Sequence, residues 1–513
     1  MASFSPSDYT LFFTFMAVSL LLFFVRKKAR HQSDKLPPGP PGLPIVGNLL
    51  QFIQSGKSFI HYVRELRPIY GPILTLRLGF RTFIVISGPD LIHEALVERG
   101  QLFASRPPET STRAVYSCEK FTVNSALYGP VWRSLRRNMV SNMLTNARLK
   151  GFSEVRRRAM DRLVDRLRAD AEAYKADSKT DVGAVHVLQN ARFAVFCILL
   201  SMCFGVDMAE SEIVSIESLM KKVLIVTNFR LDDFLPLLRP LFRKKYKEAM
   251  QIREEQIKLV LPFIHRRRAE LKDPDPNTKS LSFAYLDTLF DLAIEGRSSS
   301  PSDAEIVTLC SEFLNGGTDT TATAIEWAVA LLIAHPEIQA KLHDEIKQVV
   351  GGKVVDEKDI DKLPYLNAFV KELLRLHPPT HMALSHAVLE ETTLGGYYIP
   401  AGVNVEFYLM SVSEDRTRWA DPERFDPERF MGGKDEGDVI GGAGLKMIPF
   451  GVGRRICPGL SMAMLHICLL LARMVQEFEW SALPSQEKID FSEKVEFTVV
   501  MKTPLQAVIR PRN

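Results

Sequence analysis

The stretch IPFGVGRRICPG, Ile448 to Gly459, sets one cysteine, Cys457, among three glycines and two adjacent arginines. Pro458 follows, then LSMAMLHICLLLARMVQEF, whose apolar periodicity predicts a helix to about Phe478. Proline suits the first position of a helix, so Cys457 is expected at a helix N-terminus, where the peptide dipoles favour a thiolate. Gly451, Gly453 and Gly459 permit tight turns and close approach of backbone to a flat ligand. A lone cysteine is more often a buried apolar thiol, so the stretch decides the fold only together with other residues.

The chain has 513 residues, 46% of them hydrophobic and 25% charged, an ordinary globular composition. Its net charge of +4 comes from 65 basic and 61 acidic side chains and gives no support for a nucleic-acid partner. None of the six cysteines forms a C-x-x-C pair, which argues against zinc and for reduced thiols facing the cytosol. SGKS at Ser55 lacks the earlier glycine of a phosphate loop, and HEALVE at His93 lacks the second histidine of a zinc protease motif.

Tyr9 to Val25 is 17 uncharged residues, long enough to span a thin bilayer, and RKKARH follows at Arg26 to His31. Positive charge after the span puts the rest of the chain in the cytosol. With no Lys or Arg before the span and no small-residue cleavage pattern after it, residues 1–25 read as an uncleaved signal anchor. LPPGPPGLP, Leu36 to Pro44, has five prolines and ends a basic, proline-rich linker over 26–44, expected as a stiff spacer. Residues 45–513 read as one large, mainly α (α+β) domain with a small β-rich N-terminal region. In it, Ile73 to Ser87 predicts a hairpin, Lys244 to Glu270 a helix with a kink at Pro262, and Asp232 to Phe242 a buried apolar turn that alternatively dips into the membrane. Val403 to Tyr408 and Val495 to Met501 read as strands.

SDAE, Ser302 to Glu305, is a capping box that opens a helix running to about His335. Inside it, NGGTDTTATA places two glycines and four threonines in a helix interior, which loosens it. Helix–helix packing accounts for Gly316 and Gly317 but not for Asp319 and Thr320, an acid and a hydroxyl suited to proton relay. A threonine hydroxyl bonding back one turn would bend the helix into a groove for a small ligand. In KELLRLHPP, Glu372 and Arg375 share a helix face and can pair; if buried they need a third partner, which Arg424 or Arg429 of the two PERF repeats could supply.

A porphyrin fills four positions of an iron and leaves one for a protein ligand, so with haem a lone thiolate is a complete site. Taken together, the anchor, the proline hinge, WRSLR at Trp132, GGTDTT, KELLR, the second PERF and FGVGRRICPG resemble the cytochrome P-450 family of haem-thiolate monooxygenases, in order and over nearly the whole chain. The resemblance implies the cytochrome P-450 fold behind one transmembrane helix, haem b, and electrons from NADPH through a reductase at the endoplasmic reticulum membrane. It implies Cys457 as axial ligand within a loop marked by Phe450, Gly453, Arg455 and Gly459. It implies Trp132, Arg136, Arg455 and His386 beside the haem carboxylates, His386 standing where many relatives have arginine and able to donate a hydrogen bond with a pH-dependent charge. It implies a buried triad of Glu372, Arg375 and Arg429, and Asp319 and Thr320 in oxygen activation. Substrate walls are expected at Phe313, Leu314, Gly316, Met382, Ala383 and Thr498, and reductase contacts at Arg137, Lys446 and Arg454. ALSHAV (Ala383 to Val388) and FTVVMKTPL (Phe497 to Leu505) resemble plant in-chain fatty-acid hydroxylases and epoxidases linked to cutin, implying an apolar substrate of the fatty-acid kind. Terpenoid or phenolic substrates are the alternative within the family. An oxygen-independent thiolate-haem isomerase or dehydratase, or a non-enzymatic lipid-binding membrane protein, are alternatives outside monooxygenation.

Overall fold

The computed structural model describes residues 36–178, 181–206, 208–273, 281–432, 439, 441, 444–485 and 488–512. The apolar span Tyr9–Val25 and the basic run after it lie outside these residues.

The β-branched stretch after Pro72 folds as the hairpin expected of it. β1 (Ile73–Leu78) turns at Gly79–Phe80 into β2 (Arg81–Ile86), with Ile73 opposite Ile86 and Leu78 opposite Arg81. The remaining strands are short: β3 (Ala184–His186), β4 (Thr392–Leu394), β5 (Tyr397–Ile399), β6 (Asn404–Phe407), β7 (Phe478–Ser481), β8 (Glu493–Val495), β9 (Val499–Met501) and β10 (Gln506–Pro511). They form sheets in the orders β1-β2-β6 and β3-β10-β7 and the pairs β4-β5 and β8-β9, with β6 parallel to β2. A single strand over Val495–Met501 is thus corrected to a tight hairpin, because Glu496–Thr498 turns Val499 back onto Val495.

Eight helices build the site: α1 (Ser111–Ser117), α2 (Pro130–Arg137), α3 (Val187–Phe204), α4 (Glu210–Val226), α5 (Arg243–Lys272), α6 (Asp303–Ala334), α7 (Pro364–Leu376) and α8 (Leu460–Glu477). α6 starts as the sequence predicts: the Ser302 hydroxyl accepts from the Glu305 amide, and the Glu305 carboxylate accepts from the Ser302 amide at 2.7 Å. Its apolar faces pack on α3, α8 and α5 and form the main core. α3 and α8 are long and apolar enough to cross a bilayer, but 89% of one and 61% of the other is buried inside the fold, as core helices are. α5 runs through Pro262 without a break.

Two expectations change. The prolines of Leu36–Pro44 are docked on the body: the Pro38 carbonyl accepts from the Thr75 amide at 2.8 Å, and Asn48 Nδ2 donates to the Pro40 carbonyl at 3.0 Å. The apolar stretch at Asp232–Phe242 is not a buried turn. It forms a 3₁₀ turn over Pro236–Phe242 that leaves Leu237 81% and Leu241 77% exposed, because its two prolines cannot continue a helix that would fold these side chains inward.

Candidate active site

The cysteine loop is shaped by its backbone. The Cys457 amide donates to the Phe450 carbonyl at 2.9 Å, closing the loop. α8 begins at Leu460 with Gly459 as its N-cap, so Pro458 lies outside the helix and Cys457 two residues before the cap. Burial pushes the Cys457 thiol up, opposed by the Gly459 amide and by Arg136. The glycines divide by role. Gly453, at φ +78°, lies against the segment Glu94–Glu98, where a Cβ would overlap the Leu96 carbonyl oxygen. Close approach there is to protein backbone. At Gly451, φ +70°, a Cβ would meet nothing within 4 Å among the described residues.

Around this loop positive charge is gathered without a direct ion pair among the described residues. Arg136 donates to the Ile456 carbonyl at 2.7 Å. Arg455 donates to the carbonyls of Ala104 (2.8 Å), Val123 (3.0 Å) and Ala126 (2.6 Å), and its guanidinium lies 4.5 Å from the Trp132 ring centre. Neither has a carboxylate partner within 4 Å among the described residues. Loss of hydration, with repulsion from Arg106 and Arg136, lowers Arg455 to about 8, and loss of hydration lowers Arg136 as well. The buried Trp132 Nε1 has no acceptor among the described residues. A flat group that accepts a thiolate on iron and carries two carboxylates fits this set: an orphaned donor, two dehydrated guanidiniums and a cysteine beside them.

His386 adds a constraint. Its Nδ1–H donates to the Phe103 carbonyl at 2.7 Å, and burial, reinforced by Arg106, holds it well below the usual range. A neutral ring with Nδ1 as donor leaves Nε2 an acceptor. His386 therefore donates to a carboxylate only as imidazolium, which narrows the expected hydrogen bond to that state.

Helix α6 presents one accessible arc. Glu312, Gly316 and Thr320 recur at i, i+4 and i+8 and are half-buried or exposed, whereas Phe313 and Leu314 are buried. Phe313 packs on Tyr285 at 5.0 Å between ring centres, and Leu314 is in the core, so the expectation that both line a substrate wall is corrected. The two glycines also separate. A Cβ on Gly317 would meet Leu199 Cδ1 at 2.8 Å, so this glycine serves packing on α3; a Cβ on Gly316 would meet nothing within 4 Å among the described residues. The Thr320 hydroxyl donates to the Gly316 carbonyl at 2.9 Å, the back-bond that loosens a helix. Asp319 accepts from Arg192 Nε at 2.7 Å.

Glu312, which the sequence reading passed over, accepts the amides of Val123 (2.8 Å) and Asn124 (2.6 Å). Burial pushes it up to about 7 against those two bonds. The loop between α1 and α2 is therefore held from both sides, its amides by Glu312 and its carbonyls by Arg455. The only signal was the four-residue spacing from Glu312 to Gly316.

On α7, Glu372 and Arg375 are both fully buried, with Arg375 Nε 2.6 Å from Glu372 Oε2. Arg429, not Arg424, completes the cluster at 3.4 Å from Glu372, while Arg424 contributes only its carbonyl to Arg375. Met382 and Ala383 are half-buried on the backbone of Tyr408 and Phe407. Thr498 is 3% exposed, and its hydroxyl lies 2.8 Å from that of Thr323 on α6, so it is not an open wall; Phe497 beside it is the exposed residue of that hairpin.

Residues 37–509 match the family model described as Cytochrome P450. The chain is 36% identical to Cytochrome P450 89A9 of Arabidopsis thaliana, with 97% of this chain and 98% of that protein covered. It is 31% identical to flavonoid 3'-monooxygenase of the same plant, with 98% of each covered, and 31% identical to oryzalexin D synthase of Oryza sativa subsp. japonica, with 96% and 97% covered. Among solved structures it is similar to a zebra fish cytochrome P450 with progesterone, at a TM-score of 0.71 and 23% identity, over 89% of this chain and all of the other.

Proposed function

The chain belongs to the cytochrome P450 family, and from that premise we propose that it oxidises an apolar carboxylic acid of the fatty-acid kind within its chain, by hydroxylation or epoxidation. The family sets the coarse chemistry: a monooxygenase with thiolate-ligated haem, supplied with electrons from NADPH through a reductase. Bound haem supplies the activation of O2, one oxygen atom going to the substrate and the other to water.

Cys457 would ligate the haem iron through its thiolate, and Trp132 Nε1, Arg136 and the spare N–H groups of Arg455 would hold the haem carboxylates. Thr320 holds a proton-bearing hydroxyl beside the open face of Gly316. Asp319, half of an ion pair with Arg192, is the proposed proton donor to this site when it releases its partner. The observation that carries the oxygen-using reading is this acid and hydroxyl beside a glycine that leaves space. Exposed Arg137 and Arg454 are proposed contacts for an acidic reductase surface.

Attachment to the endoplasmic reticulum membrane through residues 9–25 is proposed as well. Exposed Leu237, Leu241 and Phe80 support it: the Phe80 amide bonds the Phe234 carbonyl at 2.9 Å, so the first hairpin and the 3₁₀ turn present apolar side chains at one end of the body.

A second reading, a terpenoid or phenolic substrate, has the support of relatives such as flavonoid 3'-monooxygenase. Microsomes carrying this chain and a reductase, given NADPH with fatty acids, diterpenes and flavonoids, separate the two. Products from the last two classes alone would end the fatty-acid reading. Cys457→Ala is expected to abolish the reduced carbon-monoxide band; a surviving band would overturn the ligand assignment.

A further inference from the structure

A cavity of about 880 Å³ lies between α7, the helix Pro336–Val350, residues 422–428 and the start of β8. That size falls within the roughly 300–1,000 Å³ of small-molecule sites. None of its lining residues belongs to the cysteine loop or to the open arc of α6. Leu331, where the cavity meets α6, lies three turns beyond Thr320, about 16 Å along the helix. One wall is fixed by the buried triad. Arg375 donates to the carbonyls of Ser413 (3.2 Å) and Pro422 (2.7 Å), and the Asp426 amide donates to Glu372 at 2.9 Å. The cavity is therefore built into the fold.

Another wall is a stack of rings. His377 lies on Trp327, 4.3 Å between centres and 3° from parallel, and Phe491 is near-parallel to both, 5.9 Å from His377 and 6.2 Å from Trp327. His377 and Phe491 line the cavity, while Trp327 is buried and does not. Neither nitrogen of His377 has a hydrogen-bond partner among the described residues, and Nδ1 is buried. Burial, reinforced by Arg375, lowers His377 to about 4, so the ring is uncharged at neutral pH. Six lining residues are acids and two are Lys or Arg. Five of the acids are matched: Glu428 pairs with Lys341, Glu423 with Arg416, Asp426 with Arg424 at 3.9 Å, Glu414 with Arg67 at 3.2 Å and Glu493 with Arg64 at 3.6 Å. The sixth, Glu337, has only the His335 imidazole at 3.4 Å, and 70% of its side chain is exposed. It has no Lys or Arg within 4 Å among the described residues. The cavity thus joins a flat aromatic wall to one carboxylate without a permanent counter-charge.

We propose that this cavity is a second ligand site, an effector site for a planar aromatic molecule carrying one positive charge, its ring against His377 and Phe491 and its charge drawn to Glu337. Stacked rings favour a flat partner, and the unmatched acid favours a cation. Both lining cations are paired, so an anion such as a fatty acid finds no partner there. The site reaches the hairpin β8–β9. Phe491 leads into β8 and Glu493 opens it, Trp327 Nε1 donates to the Val499 carbonyl on β9 at 2.8 Å, and the Thr498 hydroxyl lies 2.8 Å from that of Thr323 on α6. A ligand packed on this stack therefore holds the hairpin against α6.

The test uses the full, haem-loaded chain in phosphatidylcholine nanodiscs, with empty nanodiscs as the blank. The probe is 9-aminoacridine, a flat fluorescent cation, and its counterpart is the anion acridine-9-carboxylate. Fluorescence anisotropy reads binding, the Soret band reports any ligand at the haem, and amide exchange reads residues 493–501. The wild type is expected to bind 9-aminoacridine with a dissociation constant below about 1 mM and no Soret shift, and the anion at least about 10-fold more weakly. Glu337→Lys and Phe491→Ala each raise the constant for 9-aminoacridine at least about 10-fold. Glu337→Lys alters an exposed side chain, so it carries the test if Phe491→Ala does not fold. With the probe at about ten times its dissociation constant, exchange across 493–501 slows about 10-fold. No binding, equal binding of cation and anion, a Soret shift, or binding unmoved by Glu337→Lys overturns the site. Binding that Glu337→Lys removes, with hairpin exchange unchanged by the probe, keeps the site and overturns its effector role.

Discussion

Glu312→Ala tests the two-sided clamp on the loop between α1 and α2. Each carboxylate oxygen takes one amide, Val123 on Oε2 and Asn124 on Oε1, so alanine strips both acceptors at once. A hydrogen bond to a charged group contributes about 1.5–3 kcal/mol, so the two together hold the loop by at least about 3 kcal/mol. The same substitution removes a dehydrated acid that burial pushes up to about 7. That rise is what remains after the two amide bonds have lowered it, so relieving the dehydration offsets their loss in global stability. It does not offset it in local opening, because dehydration is not relieved by moving the loop alone. Amide exchange across residues 121–126, followed by mass spectrometry, is therefore expected to accelerate on the order of 100-fold while the unfolding midpoint moves little. Glu312→Gln, with one carbonyl oxygen for two amides, falls between. Unchanged exchange in this segment of a haem-replete Ala variant would refute the clamp. An equal loss in every segment would mean that Glu312 acts on the whole fold.

The two helix glycines are expected to behave oppositely. Gly316→Ala meets no atom and gains up to about 1 kcal/mol of helix propensity, whereas Gly317→Ala drives a methyl into Leu199 and costs about 1–3 kcal/mol; thermal midpoints of the two variants check this. Glu372→Ala leaves the fully buried Arg375 without its carboxylate and costs about 3–5 kcal/mol, so little folded, carbon-monoxide-responsive protein should accumulate, and normal yield would contradict it. Stability also depends on pH through Glu312. Its folded pKa, near 7, lies above that of a solvated carboxylate. The native state therefore keeps a proton that the unfolded chain has lost, and stability falls as pH rises from about 4.5 to 7. Glu406, also raised by burial, acts in the same direction. Denaturation midpoints of wild type and Glu312→Gln at pH 5 and 7.5 should show a flatter dependence in the variant.

Much of this was readable in the residues because its causes are local. The capping box at Ser302, the hairpin at Gly79 and the back-bonding threonines each need only neighbours in sequence. The triad needed one long-range choice, Arg429 over Arg424, which the residues alone left open and the family resemblance supplied. What stayed hidden depends on which arc of a helix faces space. α6 is apolar nearly all round, so its pattern could not tell the buried arc of Phe313 and Leu314 from the open arc of Glu312 and Gly316. Arg192 sits 127 positions from Asp319, and nothing near either residue announces the pair. Thr498 was misread because a strand assignment hid the turn that folds its hydroxyl onto Thr323. The apolar residues at Leu237 and Leu241 looked like core by composition, and two prolines decided otherwise.

The threefold grip of Arg455 has a bearing on how the protein is made. Its acceptors, Ala104, Val123 and Ala126, lie 351, 332 and 329 positions earlier in the chain, and Arg136 reaches forward 320 positions to Ile456. The cysteine loop thus takes its shape from segments that leave the ribosome hundreds of residues ahead of it. Closing loops of that length is slow and comes late in folding. Until then the early segments wait with their carbonyl groups unclaimed, in a chain long enough to populate intermediates. Cofactor capture is therefore an event of the finished chain. Nascent chains arrested before Cys457 should bind no haem however well their helices have formed.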